Sequence, residues 1–284
     1  MTSAFCPGHI TCFFHPVRTD DVRTTGSRGA GIRLSLGAHV TVEERADSRI
    51  EITMDGGPSD AKVTRYVLDE LCPGRGFDVT IENDLPVGQG FGMSAAGAIA
   101  AAMCLCRIAG RDLNDAYLTA HKAEVAGGGG LGDVAAIQCA GKQPVRLVPG
   151  VVPFGKVVDT GVDLGDLTLA VTGKKLNTGT VINDPEMQRR MNEIGSRMVD
   201  DYHAQPSAER LFAFSREFSS SMGLESDDVK NALDKLCGKG MAGMCMLGHS
   251  VFTTLPEDVV KDCLGDVPIF RAKASDRAAF IQRE

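Results

Sequence analysis

A two-lobed α+β protein is the fold class predicted by the sequence, on three observations. The chain has 284 residues, about two domains at ~150 residues each. Its first half alternates strand-like and helix-like segments, whereas its second half carries three consecutive helical segments between strands. No internal repeat or low-complexity linker divides the halves, so they are expected to pack tightly. The boundary falls between 150 and 165, and we set it after residue 160, giving lobes 1–160 and 161–284.

Taken in order, Val40 and Val42, then Ile50 and Ile52, alternate as two strands joined near 46–48, which predicts a hairpin over Leu34 to Met54. Lys62 to Leu71 places Val63, Tyr66, Val67 and Leu71 on one helical face, and Pro73-Gly74 ends it. Phe77 to Glu82 alternates again as a strand. A glycine-rich loop from Asn83 to Met93 then opens an alanine-rich helix, Ser94 to Ile108, and a second helix runs from Asn114 to Ala126. Beyond Pro149, Leu167 to Thr172 is strand-like, and Pro185 to Tyr202, Ser207 to Met222 and Ser226 to Leu236 repeat apolar residues at helical spacing. The tail places a short helix, Glu257 to Cys263, between strands at Ser250 to Leu255 and Pro268 to Ala272.

Thirty basic against 37 acidic residues leave a net charge of −7, which excludes a generally basic nucleic-acid binder. With 43% hydrophobic and 24% charged residues the chain has ample material for a core. Nine cysteines without a Cys-x-x-Cys pair, and six scattered histidines, give no zinc-like spacing. The segment Met1 to Phe14 lacks a basic leader, and the longest apolar run, Ala95 to Cys106, falls short of the ~20 residues that span a bilayer. A cytoplasmic protein with no membrane or nucleic-acid partner is the expectation.

The most specific chemistry lies in Leu85-Pro-Val-Gly-Gln-Gly-Phe-Gly-Met-Ser-Ala-Ala-Gly97. Glycines at 88, 90 and 92 let main-chain amides turn toward one point, and the following helix adds its free N-terminal donors and positive dipole end. Such a surface suits phosphate, and the Ser94 hydroxyl at the helix start can ligate Mg2+ beside it. A dinucleotide fingerprint would need Gly where Met93 stands. A serine-hydrolase elbow is approximated by Gly92-Met-Ser94-Ala-Ala96, with His121 and Asp133 as candidate partners, but the strand ends about ten residues too early. The segment Gly150 to Lys156 imitates a Walker A loop, yet it lacks the Ser or Thr, and Val157-Val158 favours a strand.

A second constellation runs from His121 through Glu124 and four glycines to Asp133. His121 and Glu124 lie three apart on a helix, and the glycines free the chain to return Asp133 toward them. One of the two acids can hold a metal while the other accepts or orients a hydroxyl proton. The third, Gly238 to Gly248, combines methionines suited to core packing with Gly240 and Gly243, which permit close approach of a ligand.

Together, Ala4-Phe-Cys-Pro-Gly-His-Ile-Thr11, the loop Pro86 to Ala95 and Lys239 to Gly243 resemble, in order, the three motifs of the GHMP kinase superfamily. Phe91 and Met93 replace the usual Leu and Ser, and His9 stands where relatives often carry Lys. Gly26 to Gly31 and the spacing of His121, Glu124 and Asp133 most resemble the archaeal pantoate kinases within it. The resemblance implies an ATP- and Mg2+-dependent kinase that makes 4-phosphopantoate for coenzyme A, with another acceptor such as mevalonate or homoserine as the alternative. It implies ATP contacts from Pro86, Gly88, Gln89, Gly90, Phe91, Gly92, Met93, Ser94 and Ala95, and Mg2+ contacts from Ser94 and Glu124. Asp133 is implied at the reacting hydroxyl, and Ser27, His121 and Arg146 at pantoate. It further implies a homodimer and a two-lobed fold, with a left-handed βαβ unit in the N-terminal lobe and a ferredoxin-like C-terminal lobe.

Overall fold

The computed structural model describes residues 1–174 and 185–283. Its centre is a pair of long antiparallel strands, β1 (Thr2–Val17) and β2 (Gly26–Glu44), joined along their whole length from Thr2 opposite Val42 to Val17 opposite Gly26. Almost every residue of β1 is buried, so the strand is covered on both faces and shows none of the alternation that marks a half-exposed strand. Its register shifts twice, between Pro7 and His9 and between Thr11 and Phe13. Pro7 has no amide to give the ladder, and a bulge there bends the strand and re-aims the side chain of His9.

On the other side of β2 lies β5 (Phe77–Asn83), followed by β3 (Ile50–Met54) and the short β4 (Gly57–Pro58). The expected hairpin between β2 and β3 is therefore not formed. β3 pairs in parallel with β5, through a crossover over α1 (Lys62–Leu71), and β5 occupies the edge of β2 that a hairpin would have used. Of the expected face, Val67 and Leu71 are buried and Val63 packs partly buried against the core, with Thr64 and Leu68 completing the buried side, whereas Tyr66 faces outward. β6 (Pro144–Val148) pairs with the start of β2 and with β7 (Lys156–Asp159), the strand foreseen at Val157-Val158.

The alanine-rich helix α2 (Met93–Ala109) packs against β1, β2 and α1 and against α3 (Asn114–Ala126). Every residue from Ala95 to Cys106 is buried, and the alanines let the helix sit close to its neighbours without bulky spacers. A short helix, α4 (Asp133–Gln138), follows the glycine run.

The second sheet has four antiparallel strands in the order β11 (Ile269–Lys273), β8 (Asp166–Val171), β10 (Ser250–Thr253), β9 (Ala242–Met244). Helices α5 (Pro185–Ala204) and α6 (Ala208–Ser221) bridge to the first sheet by packing on β1, while α7 (Asp227–Cys237) and α8 (Glu257–Leu264) cover the second. Serines 207 and 226 cap α6 and α7 by accepting the amides of Arg210 and Val229. The chain then returns, and β12 (Phe280–Arg283) adds to the free edge of β1.

Candidate active site

One cavity, of about 640 Å³, opens where the 87–94 loop, the glycine run 127–132 and residues 246–247 meet. In the first of these, Gly88, Gly90 and Gly92 all hold φ between +68° and +80°, the left-handed region that side chains avoid. Gly90 also lies so close to the second lobe that a Cβ would stand 2.7 Å from the Cys245 carbonyl oxygen. The Phe91 carbonyl accepts the His9 amide at 3.0 Å, which ties the loop to β1. The first intrahelical bond of α2 runs from the Ala96 amide to the Gly92 carbonyl, so the amides of Met93, Ser94 and Ala95 have no helical partner and end at the positive pole of a buried helix.

Ser94 Oγ donates to Glu124 Oε1 at 2.6 Å, and Glu124 Oε2 accepts the Gly130 amide at 2.8 Å. Glu124 is almost wholly buried, and burial pushes its carboxyl up to about 7; the bonds from Ser94 and Gly130 act against the rise and the charge of Asp133 adds to it. Asp133, at the start of α4, joins His9 through a 2.8 Å contact between its Oδ1 and the ring Nδ1. Gly130 sits between the two acids: a Cβ there would lie 2.5 Å from Asp133 Oδ2 and 3.6 Å from Glu124 Oε2. Glycines at this turn are thus a steric requirement, and they bring both carboxylates to one cavity wall.

Opposite them, β6 delivers Arg146, fully buried, with Nε and Nη1 lacking hydrogen-bond partners among the described residues. Burial lowers this guanidinium to about 10, while Asp133 and then Cys12 raise it, so it keeps its charge at neutral pH. Ser27 is its neighbour, because a side chain on Gly132 would collide with both Ser27 Oγ and the Arg146 guanidinium.

Gly88, Gly90, Phe91, Gly92, Met93 and Ser94 line the cavity together with Glu124, Asp133, Ser27 and Arg146. Four other expected contacts do not. Gln89 uses its side-chain amide on the second lobe, donating to the Gly173 carbonyl at 3.0 Å and accepting the His249 amide at 3.1 Å, while its own carbonyl accepts Ser250 Oγ at 2.5 Å. It is a clasp between the lobes. Ala95 is buried in the core and Pro86 only flanks the loop. The His121 ring nitrogen Nε2 donates to the carbonyls of Thr25 at 2.9 Å and Val22 at 3.1 Å, one layer behind Ser27, and burial lowers its pKa. The serine-hydrolase triad is consequently not assembled: Ser94 meets Glu124, His121 meets main chain and Asp133 meets His9.

Sequence reasoning missed Thr11, Phe14, Leu131 and Leu247 on the cavity wall, and the contact of His9 with Asp133. Leu247 is a non-glycine residue in the left-handed region, φ 62°, which holds its side chain at the cavity rim. Gly240 and Gly243, expected near a ligand, approach Leu255 and Phe252 of their own lobe, and Met244 and Met246 are buried. A second cavity of about 820 Å³, bounded by β3, β4 and α1, shares Val87, Met93 and Ser94 with the first.

The Glu124 environment gives a pH prediction. Its carboxyl titrates near 4.5 when exposed and near 7 in the fold, so between these values the folded chain holds a proton the unfolded chain has released. Stability without metal is therefore fullest below about pH 4.5 for this group and falls as pH rises through about 7. Thermal unfolding of Glu124→Gln, compared at about pH 5 and about pH 8, should lack this decline.

Residues 61–141 match the family described as GHMP kinases N terminal domain. The chain is 34% identical over 271 residues to a pantoate kinase of Thermococcus kodakarensis, covering 91% of this chain and 89% of that one. A pantoate kinase of Methanospirillum hungatei is 32% identical, with 88% and 86% covered. A solved structure described as a phosphotransferase related to the CoA biosynthesis pathway superposes with a TM-score of 0.88 at 29% identity, covering 99% of this chain and 98% of that one. Mevalonate kinase of Methanococcus jannaschii, at 14% identity and a TM-score of 0.68 over 96% and 98% of the two chains, shares the two-lobed fold. The order of strands and helices, the glycine loop and these likenesses agree: the chain belongs to the pantoate kinase family of phosphotransferases, built on the GHMP kinase fold.

Proposed function

We propose that the chain transfers the γ-phosphoryl group of ATP to the terminal hydroxyl of pantoate, giving 4-phosphopantoate for coenzyme A synthesis. The observation that carries this reading is Arg146: a buried guanidinium with two unpartnered nitrogens, in the same cavity as Asp133 and the glycine loop. Pantoate is a hydroxy acid, and its carboxylate is the anion such a guanidinium grips by paired charged hydrogen bonds. Ser27 beside it meets the adjacent hydroxyl, and His121 holds the chain at Val22 and Thr25 that leads into Ser27. The terminal hydroxyl is then directed at Asp133.

The main-chain amides of Gly88 to Gly92, with those opening α2, bind the phosphates of ATP, and the second cavity, which shares Met93 and Ser94, takes its nucleoside end. Asp133 accepts the proton of the acceptor hydroxyl. The acceptor oxygen then forms its bond to the γ-phosphorus as the bond to the β–γ bridging oxygen breaks, the negative charge of the phosphates facing the loop amides. Ser94 and Glu124 suit Mg2+, since both offer hard oxygen ligands and the buried Glu124 has, among the described residues, only a hydroxyl and an amide for partners. When bound, the ion neutralises charge on the transferring phosphates. Its binding needs the ionised carboxylate, so added Mg2+ should raise Tm more at about pH 8 than at about pH 6.

From the resemblance we further assign a cytoplasmic homodimer, checked by light scattering on the purified protein, and a lobe division at 160/161. No described helix is long and apolar enough to cross a membrane. The reaction itself is tested by supplying ATP and Mg2+ with pantoate, mevalonate or homoserine. We expect kcat/KM for pantoate to exceed the others by roughly 10²-fold or more, since a site built for one set of polar groups rejects acceptors that leave them unpaired. Preference for either competitor contradicts the proposal.

A further inference from the structure

Asp133 touches the ring of His9, and among the described residues the His9 side chain has no other hydrogen-bond partner. The imidazole is fully buried at the β1 bulge, its Nδ1 lies 2.8 Å from Asp133 Oδ1, and its Nε2 is buried without a partner. Gly31 of β2 closes over Nε2, since any side chain there would collide with that atom. A proton on Nε2 would be a buried, unsatisfied donor, whereas a proton on Nδ1 has a carboxylate to receive it. The ring therefore carries its single proton on Nδ1.

We infer that His9 is the positioning residue for Asp133, a neutral donor that fixes Oδ1 and leaves Oδ2 to take the acceptor's proton. Three charged groups act on the ring. Burial, the largest effect, lowers the pKa; Asp133 on α4 favours protonation, while Arg146 on β6 and Arg33 on β2 act with burial against it, and the net shift is downward. A neutral partner has a chemical consequence. A lysine in its place would set a positive charge against the Asp133 carboxylate, whereas a neutral imidazole orients that carboxylate without adding a charge to it. The inference deepens the proposed phosphoryl transfer and rests on it.

Two variants separate donation from packing. The Nδ2 amide of Asn superposes on the histidine Nδ1, so His9→Asn keeps the donor and loses bulk, whereas His9→Leu keeps bulk and loses the donor. We expect His9→Asn to retain kcat within about fivefold and His9→Leu to lose roughly 10- to 100-fold, a part of the ~10²–10⁴ a positioned base contributes, with KM for ATP unchanged in both. If His9→Leu matches or exceeds His9→Asn, the donor role is overturned and packing explains the residue. A wild-type protein that fails to phosphorylate pantoate, or an Asp133→Asn variant of full activity, would instead strike the functional reading. Nitrogen-15 spectra of histidine-labelled protein examine the tautomer without any turnover. Protonation at Nδ1 across neutral pH is expected, and a proton on Nε2 overturns the inference.

Discussion

Asp133→Asn is expected to lower kcat for pantoate phosphorylation by about 10²- to 10⁴-fold, with the affinity for ATP within about twofold of wild type. The amide keeps an oxygen to accept the His9 Nδ1 proton, so the local geometry survives. What disappears is the lone pair that receives the acceptor's proton and the negative charge that raises the pKa of Glu124. Removing that charge makes Glu124 easier to ionise, so Mg2+ and nucleotide binding should not weaken. The loss must then fall on kcat, measured by coupled assay alongside calorimetric titration of a nonhydrolysable ATP analogue. Full turnover in the variant would remove Asp133 from the reaction.

Arg146→Met is expected to separate activity from stability. Two charged hydrogen bonds to a carboxylate, at about 1.5–3 kcal/mol each, amount to roughly 10²- to 10⁴-fold in kcat/KM for pantoate. Affinity for the ATP analogue should stay close to wild type. The same change should raise Tm by about 2–5 °C, because a fully buried guanidinium with two unpartnered nitrogens is costly and a methionine of similar length fills its place. A lower Tm with KM for pantoate unaltered would make Arg146 a structural residue.

The parts of the molecule legible in the sequence are those governed by short-range rules. α7 follows from its apolar residues recurring at three and four positions, and the loop at 88–92 follows from what three closely spaced glycines permit. Strand pairing is another matter. Val40, Val42, Ile50 and Ile52 declare strands but not partners, and β5, more than twenty residues further on, enters between them. β1 was hidden for a different reason, since burial on both faces erases alternation and leaves a mixture of Phe, Cys, Pro and His. At the site, Glu124 and Asp133 could be matched because the glycines between them imply a turn. His121 lies one helical turn from Glu124, yet the carbonyls at 22 and 25 that engage it come from a loop no periodicity connects to α3. Gln89 illustrates the same limit, since its partners lie across the lobe junction at Gly173 and His249.

At the root of the account is a bond-making geometry: ATP phosphates on the amides at the start of α2, facing an acceptor held between Arg146 and Asp133. A crystal structure with a nonhydrolysable ATP analogue, Mg2+ and pantoate examines it directly. The β- and γ-phosphates are expected within hydrogen-bonding distance of the 88–95 amides, with the pantoate carboxylate on Arg146 and its terminal hydroxyl beside Asp133. A triphosphate lodged away from that loop, or pantoate bound with its carboxylate remote from Arg146, contradicts it.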